Sequence, residues 1–416
     1  ADTLLERSDN PRRAISDQFV YRGTIYDKNT IPLAEDTGPA GSYERTLHYP
    51  NLSAVIGYSN PNYGQTGIEY AEDGYLRGLD GNIYKNILLA GTLYGQYPPG
   101  FDIRLSIDLP LQTLADETLA GKTGAVILMN AESGEILAMS TSPTFDAGQL
   151  EAKWETWMQD KTAPLLNRAT QALYPPGTTV SGLFLARILN TTTIPAAIPQ
   201  KDWNSDPGSA QFCAIPPEEV TTWGKLISSG CIGPVTSLSQ TLIKDQAFTL
   251  LKQSGLFTEP AFPLETSQPV VPSQLTSYTD LYIGKINLLV SPLQVVTMAS
   301  LLSNGGKVTS PRIAMTYKSL SGYWEFIEQK TFGVQIKNLN ISDAATRLTQ
   351  GNFPGWEISS YAEHDKAKVA WFVAGTPPDW YSTPLTLVVA LEDADPATAR
   401  EIGQRVFLAA ISSEKK

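Results

Sequence analysis

Two pairs of apolar runs, separated by helical segments and followed by a final helix, constrain the fold of this chain most strongly. The first pair, residues 124–130 and 135–140, consists of apolar and β-branched residues on either side of a polar turn. This pattern predicts a β-hairpin. The second pair is residues 367–374 and 385–391, and residues 398–412 close the chain with helical spacing. This order of elements indicates an antiparallel sheet covered by helices, an α+β fold.

The helical spacing of apolar residues predicts four further helices, at residues 109–120, 178–189, 238–254 and 292–303.

The first hundred residues have a different character from the rest of the chain. They are rich in Gly, Tyr, Pro and Asn and contain only short apolar stretches, which predicts short strands and loops. A break follows at Tyr97-Pro98-Pro99-Gly100, and residues 103–107 then alternate like a strand. A length of 416 residues suits one large core and one smaller core. We therefore predict a smaller β-rich domain at residues 1–100 and a larger domain at residues 101–416.

Composition and short motifs exclude several classes of function. The net charge of −11 offers no basic stripe for a phosphate backbone, so we expect no nucleic-acid partner. No apolar run of about 18 residues is present, and the chain starts at Ala1 without a signal-peptide pattern, as in a mature or trimmed product. The only histidines are His48 and His364, and no HExxH, GxSxG or Walker A pattern occurs. We expect neither a metal nor an organic cofactor.

Cys213 and Cys231 are the only cysteines, and they lie in a segment that contains Pro, Gly and Ser. No CxxC pattern or neighbouring histidine suggests a metal site. A disulfide between them fits an oxidising compartment, and two unpaired thiols are the alternative.

A series of short motifs follows the chain in a fixed order. The motifs are Asn10-Pro11-Arg12, Arg22-Gly23-Thr24-Ile25-Tyr26-Asp27, Gly57-Tyr58, Tyr63-Gly64-Gln65-Thr66-Gly67-Ile68-Glu69, Leu76-Arg77-Gly78, Gly124-Ala125-Val126, Gly134-Glu135-Ile136-Leu137-Ala138-Met139, Pro143-Thr144-Phe145-Asp146, Asn167-Arg168-Ala169, Tyr174-Pro175-Pro176-Gly177, Ser291-Pro292-Leu293-Gln294, Asn304-Gly305-Gly306, Pro311 and Trp371-Phe372-Val373. In this order they resemble the class B penicillin-binding proteins, a family of D,D-transpeptidases. Each motif is weak alone, but together they span nearly the whole chain.

The resemblance implies a fold, a location and partners. The fold is a penicillin-binding, serine-β-lactamase-like transpeptidase domain carried on a smaller N-terminal pedestal domain. The family works in cell-wall synthesis and cell division at the extracytoplasmic face of the cytoplasmic membrane. Its members are held there by one N-terminal anchor, which this chain lacks, and act beside a membrane-embedded glycan polymerase. The resemblance therefore implies that polymerase-like partner and, as a further ligand, peptidoglycan.

The first catalytic motif of the family, Ser-x-x-Lys, is replaced here. Its spacing puts the nucleophile and its amine base on one face of a helix. The segment after Gly177 reads Thr178-Thr179-Val180-Ser181, so Thr178 stands at the nucleophile position and Ser181 at the lysine position. A serine hydroxyl is not a base at neutral pH, and loss of the base costs roughly 10³-fold or more in rate. The alternative is that the threonines simply begin the helix, because Thr is a good N-cap residue.

The second and third motifs are also missing. For Ser-x-Asn, the best register places Ile243, Lys244 and Asp245, where Ile243 cannot relay a proton and Lys244 is the one residue that would restore an amine. For Lys-Thr-Gly, residues 355–360 offer no lysine–threonine pair, and Glu357 in this segment would repel a substrate carboxylate.

Three functional hypotheses follow. The first is a catalytically inactive pseudo-transpeptidase of peptidoglycan synthesis, which acts by binding a partner or peptidoglycan strands. The second is an active D,D-transpeptidase or carboxypeptidase that binds penicillin through an atypical Thr178 or Ser181 nucleophile, with Lys244 as base. The third is a secreted hydrolase of unrelated mechanism, for which no pair of carboxylates is singled out by its spacing.

Overall fold

The computed structural model describes residues 20–81, 98–194, 198, 203–209, 211–219, 222–329, 333–365 and 367–413. The motif Asn10-Pro11-Arg12 lies outside these residues. In chain order the strands are β1 (Ile25–Tyr26), β2 (Pro32–Thr37), β3 (Glu44–Leu47), β4 (Ser59–Asn60), β5 (Gly64–Gln65), β6 (Ile103–Leu105), β7 (Gly124–Asn130), β8 (Ile136–Ser142), β9 (Lys307–Thr309), β10 (Ala314–Lys318), β11 (Trp324–Phe326), β12 (Gly333–Gln335), β13 (Trp356–His364), β14 (Ala367–Gly375) and β15 (Leu385–Glu392).

The helices alternate with these strands. They are α1 (Ser53–Ile56), α2 (Gly67–Ala71), α3 (Asp73–Leu76), α4 (Leu109–Leu119), α5 (Leu150–Gln159), α6 (Ser181–Thr191), α7 (Trp223–Ser228), α8 (Ile232–Ser239), α9 (Lys244–Gln253), α10 (Tyr278–Ile283), α11 (Pro292–Ser303), α12 (Ile341–Leu348) and α13 (Pro396–Ser413), with short 3-10 helices at Pro50–Leu52, Ala147–Gln149 and Gly177–Val180. Within the described part of the chain, no helix is both long enough and apolar enough to cross a lipid bilayer.

The large domain is built on a five-stranded sheet with the order β13-β14-β15-β7-β8, in which every neighbouring pair is antiparallel. Strand β15 pairs with β7, where Leu385 lies opposite Asn130, so the last strand of the chain joins the first strand of this sheet. Strand β13 forms one edge of the sheet. The predicted α+β fold is confirmed.

Helices cover both faces of this sheet. Helices α4 and α13 pack on one face. Helix α11 packs on the other, and all of its residues are buried, as expected for a helix that is apolar on all sides. A capping box formed by Ser291 and Gln294 begins α11, which matches the predicted start of that helix. The helix predicted at residues 238–254 is instead two helices, because α8 ends at Ser239 and α9 begins at Lys244.

A six-stranded sheet with the order β11-β10-β6-β1-β2-β3 forms the base of the molecule. Three of its strands, β6, β10 and β11, come from beyond residue 100, since β6 pairs in parallel with β1 and β10 pairs with β6. The boundary predicted at residue 100 therefore cuts through this sheet. Pairing between strands so far apart in sequence leaves no local signal.

A buried ion network holds the N-terminal segments together. Arg22 pairs with Glu69 at 2.8 Å and with Asp73 at 2.7 Å, while Arg45 pairs with Glu69 at 2.7 Å and with Asp36 at 3.2 Å. Burial opposes the charge on Glu69, but the two arginines outweigh it and lower the pKa of this carboxyl below its usual value. The first motifs of the resemblance thus meet in space as a structural cluster.

Candidate functional site

The segment that leads to the predicted nucleophile is fixed by contacts with the large sheet. Trp371 on β14 donates its indole N–H to the Pro175 carbonyl at 3.0 Å, and Tyr174 exchanges backbone hydrogen bonds with Val290. Gly177 then has φ of +57°, and a Cβ at this position would lie 2.4 Å from the Ser360 hydroxyl oxygen. Glycine is required here both by the backbone angle and by the close approach of β13.

Thr178 is buried, with 1% of its surface exposed, and both of its polar groups contact strand β13. Its backbone N–H donates to the side-chain oxygen of Ser360 at 2.8 Å, and its hydroxyl donates to the Ser359 carbonyl at 3.3 Å. A backbone carbonyl does not take up the proton that a hydroxyl must lose to become a nucleophile. The N–H at the start of such a helix would also have to be available for a developing oxyanion, and here the Ser360 hydroxyl occupies it.

Ser181 is the first residue of α6, and it is also buried. Its hydroxyl oxygen has no hydrogen-bond partner among the described residues. A Cβ built at the adjacent Gly182 would meet the side chains of Leu302 and Ile358 at 2.8 and 3.0 Å, so the first turn of α6 is tightly packed. The position that the resemblance assigns to a basic amine therefore carries a buried, uncharged hydroxyl.

The structure places Ile243, Lys244 and Asp245 at the start of helix α9. The Ile243 side chain is 63% exposed, and the Lys244 ammonium donates to the Thr276 carbonyl at 2.5 Å. The Lys244 ammonium is therefore held by a backbone carbonyl of the segment before α10.

A different loop contacts the strand beside Thr178. It runs from Ser228, where α7 ends, to Ile232, where α8 begins. Within it, Gly230 has φ of +64°, and a Cβ there would lie 2.3 Å from the Ser359 carbonyl oxygen. The loop that faces β13 is therefore the one between α7 and α8, not the turn before α9. Its residue nearest to the strand is Gly230. The two adjacent serines of this loop, Ser228 and Ser229, were the sequence signal that could have identified it.

The structure joins Cys213 and Cys231 in a disulfide, which fixes this loop to the segment before it. The Ala214 N–H also donates to the Gly230 carbonyl, and the Ile215 N–H donates to the Ser229 carbonyl. The loop that contacts Ser359 is therefore held at several points.

Strand β13 occupies the place where the third motif was expected. Ile358, Ser360 and Ala362 face the 3-10 helix and α6, because Cβ atoms built at Gly182 and Gly177 would contact their side chains. Glu357 is buried, and its carboxylate accepts from Gln404 of α13 at 2.7 Å and pairs with Arg400. The expected repulsion of a carboxylate by Glu357 is therefore offset by the Arg400 charge. No lysine stands on this strand between its first residue and His364.

Two cavities lie along the free edge of β13. One, of about 400 Å³, is lined by Ser228, Ser229, Lys225, Glu357, Ser359 and Arg400 together with residues 215–219. The other, of about 340 Å³, includes Phe212, Ile232, Tyr361 and Glu363 in its wall.

The histidines have structural partners. His48 contacts Glu35, and His364 contacts the Gly284 carbonyl. Among the described residues, no group of three or more His, Cys, Asp or Glu side chains is arranged to hold a metal ion.

The comparisons with known proteins agree with this architecture. Residues 124–395, more than half of the chain, match the family model described as the penicillin binding protein transpeptidase domain. The chain belongs to the penicillin-binding protein transpeptidase family. The predicted resemblance is confirmed.

Two relatives match this chain over nearly its full length. It is 26% identical to the peptidoglycan D,D-transpeptidase PbpA of Mycolicibacterium smegmatis, covering 99% of this chain and 93% of the relative. It is 24% identical to PbpA of Mycobacterium tuberculosis strain H37Rv, covering 100% of this chain and 94% of that protein.

Solved structures share the fold. The imipenem acyl-enzyme complex of penicillin-binding protein A from M. tuberculosis aligns with a TM-score of 0.78 at 22% identity, covering 95% of this chain and 100% of that one. The D,D-transpeptidase domain from Eggerthella lenta aligns with a TM-score of 0.73 at 21% identity, covering 95% and 99%.

Proposed function

We propose that this chain is a catalytically inactive transpeptidase homologue that serves peptidoglycan synthesis by binding a partner or peptidoglycan strands. One observation carries the proposal: the hydroxyl and the N–H of Thr178 are both hydrogen-bonded to β13, to the Ser359 carbonyl and the Ser360 hydroxyl. These two bonds make Thr178 part of the packing between the helix start and the sheet.

The chemistry of acyl transfer shows what is missing. The attacking oxygen must lose its proton to a base as the bond to the carbonyl carbon forms, and the resulting oxyanion needs donors. Ser181 is not basic, and its buried hydroxyl has no hydrogen-bond partner among the described residues. Ile358 and Ser360 on β13, with Gly230 opposite Ser359, offer no amine in its place.

The peptidoglycan assignment rests on the relatives. Those that cover nearly the whole chain are named peptidoglycan D,D-transpeptidases. The intact five-stranded sheet and the two cavities along β13 support a binding role. The fold is kept although the residues of the catalytic motifs are replaced, and a fold without its catalytic residues can still bind. We place the protein outside the cytoplasmic membrane with a membrane-embedded, glycan-polymerase-like partner, held by an N-terminal anchor upstream of this chain.

A labelling experiment tests the loss of catalysis. Purified protein is incubated with a fluorescent penicillin, separated on a denaturing gel and measured by intact mass, beside an active penicillin-binding protein as positive control. We expect no adduct on the folded chain.

The alanine variants Thr178→Ala and Ser181→Ala identify the nucleophile if an adduct forms. A stoichiometric adduct that disappears in one of them would establish the alternative, an active D,D-transpeptidase or carboxypeptidase with an atypical nucleophile. In that case the bond between Lys244 and the Thr276 carbonyl would have to break for Lys244 to act as base.

A further inference from the structure

A separate cavity lies where the N-terminal segments meet the large domain, away from strand β13. We call it the junction cavity, and its volume is about 160 Å³. Residues 53–67 supply one wall, residues 145–171 the other, and Leu264 and Glu265 close one side. From its lining we propose that the junction cavity binds a neutral pyranose ring of a glycan strand.

The apolar part of the cavity is a cluster of aromatic rings. Tyr58 meets Phe145 and Trp154 edge to face, with ring centroids 6.2 and 6.3 Å apart. Trp154 also lies against Tyr63, with centroids 4.8 Å apart. The electron-rich face of an aromatic ring attracts polarised C–H groups, and one face of a pyranose presents C–H groups. A cavity of about 150 Å³ admits a six-membered ring.

The polar part of the cavity has a fixed orientation. The backbone N–H of Asn167 donates to Oε1 of Gln171 at 3.0 Å, so Nε2 is the end of this side chain that can donate to a ligand. Glu265 is exposed at the rim and supplies carboxylate acceptors. A donor amide and an acceptor carboxylate beside an aromatic wall suit the hydroxyl groups of a sugar.

The walls are preformed, because hydrogen bonds cross the junction on both sides. The Ala147 N–H donates to the Ser53 hydroxyl at 2.9 Å, and the Asn167 side-chain amide donates to the Ala54 carbonyl at 3.1 Å. A preformed pocket has little ordering entropy to lose when a ligand binds.

The charge of the lining selects a neutral ligand. No described residue of the cavity wall carries a positive charge, and Glu265 is an acid. A phosphate or a carboxylate would therefore be repelled, whereas an uncharged sugar ring would not. Only one part of this inference rests on the proposed function, namely that the sugar ring belongs to a peptidoglycan strand.

Isothermal titration calorimetry with the trisaccharide of N-acetylglucosamine as the probe tests the inference on the purified chain. We expect binding that falls at least about tenfold in Trp154→Ala, through loss of the stacking ring, and similarly in Gln171→Glu. The glutamate keeps an acceptor for the Asn167 N–H but removes the donor. Tyr323→Ala, which removes an exposed ring elsewhere, is the control and should bind as the parent does.

Absence of binding, or binding that both variants leave unchanged, would overturn the junction-cavity assignment. The result is independent of the penicillin experiment. If the sugar does not bind, the proposal that the chain is catalytically inactive is unaffected. If a penicillin adduct forms, that proposal is wrong, but the assignment of the junction cavity is unaffected.

Discussion

The backbone N–H of Thr178 donates to the side-chain hydroxyl of Ser360 at 2.8 Å, and 182 positions of sequence separate the two residues. This bond fixes the 3-10 helix that precedes α6 to the edge strand β13. It also fills the place in which an oxyanion would need a donor. The same contact therefore stabilises the fold and, under the proposed function, occupies the donor that acyl transfer would need.

We expect Ser360→Ala to lower the free energy of unfolding by about 1–3 kcal/mol, because it leaves the buried Thr178 N–H without a partner. Urea denaturation at pH 7 measures the change. Ser359→Ala is the matched control, since the bond from the Thr178 hydroxyl goes to the main-chain carbonyl, and its effect should stay within about 0.5 kcal/mol. Equal effects of the two substitutions would contradict the role of the Ser360 hydroxyl.

Ser181 allows a paired test of the lost base. Ser181→Ala removes a buried hydroxyl that has no partner in the described part of the chain, so the change should be neutral or stabilising by up to about 1 kcal/mol. Ser181→Lys buries an ammonium without a counter-ion and should cost about 3–5 kcal/mol, without restoring penicillin labelling. A stable, penicillin-reactive Ser181→Lys variant would show that the rest of the site is still competent.

Glu69 should be among the most costly residues to truncate. Glu69→Ala leaves Arg22 and Arg45 without their shared carboxylate, and we expect a loss of about 3–5 kcal/mol by chemical denaturation. The exposed Glu44→Ala on strand β3 is the control and should change little. A loss below about 1 kcal/mol would mean that Asp36 and Asp73 satisfy both arginines alone.

The same carboxyl gives a pH dependence of defined sign. The pKa of Glu69 is lowered in the folded state from its ordinary value of 4.5, since the arginines outweigh burial. Its contribution to stability is therefore complete above that value and is lost as the pH falls through the lowered pKa. Between pH 5 and 3 the parent should lose stability more steeply than Glu69→Gln, and parallel curves would contradict this.

Asp116 on α4 should show the opposite dependence. Burial raises its pKa to about 6, although hydrogen bonds from Ser140 and Gln112 act against the shift. Stability from this group rises as the pH falls from about 6 towards its ordinary value of 3.8, because the folded state binds the proton more tightly. Asp116→Asn keeps an acceptor for both donors, and we expect it to stabilise the chain at pH 8 by about 1–2 kcal/mol and to flatten this rise.

The sequence contains enough local information to specify most of the large domain. The hairpin of β7 and β8, the helix α11 with Ser291 at its start, and the closing pair β14 and β15 follow from apolar periodicity and capping. Tertiary packing decided the break between α8 and α9, which the continuous apolar spacing of residues 238–254 conceals. The six-stranded sheet could not be predicted for a similar reason, because β10 joins β6 across more than two hundred residues.

The sequence by itself determined which residue types stand at the positions of the family's catalytic motifs. Thr178 and Ser181 stand where a nucleophile and its lysine belong, and no folding can turn a serine hydroxyl into an amine base. Only the tertiary structure decided which other groups contact these positions. The Ser360 hydroxyl accepts a hydrogen bond from the Thr178 amide. Gly230, rather than Ile243, lies against Ser359. Arg400 forms an ion pair with Glu357. The reason is physical: residue type fixes the chemistry of a side chain, whereas strand register and helix packing fix its neighbours.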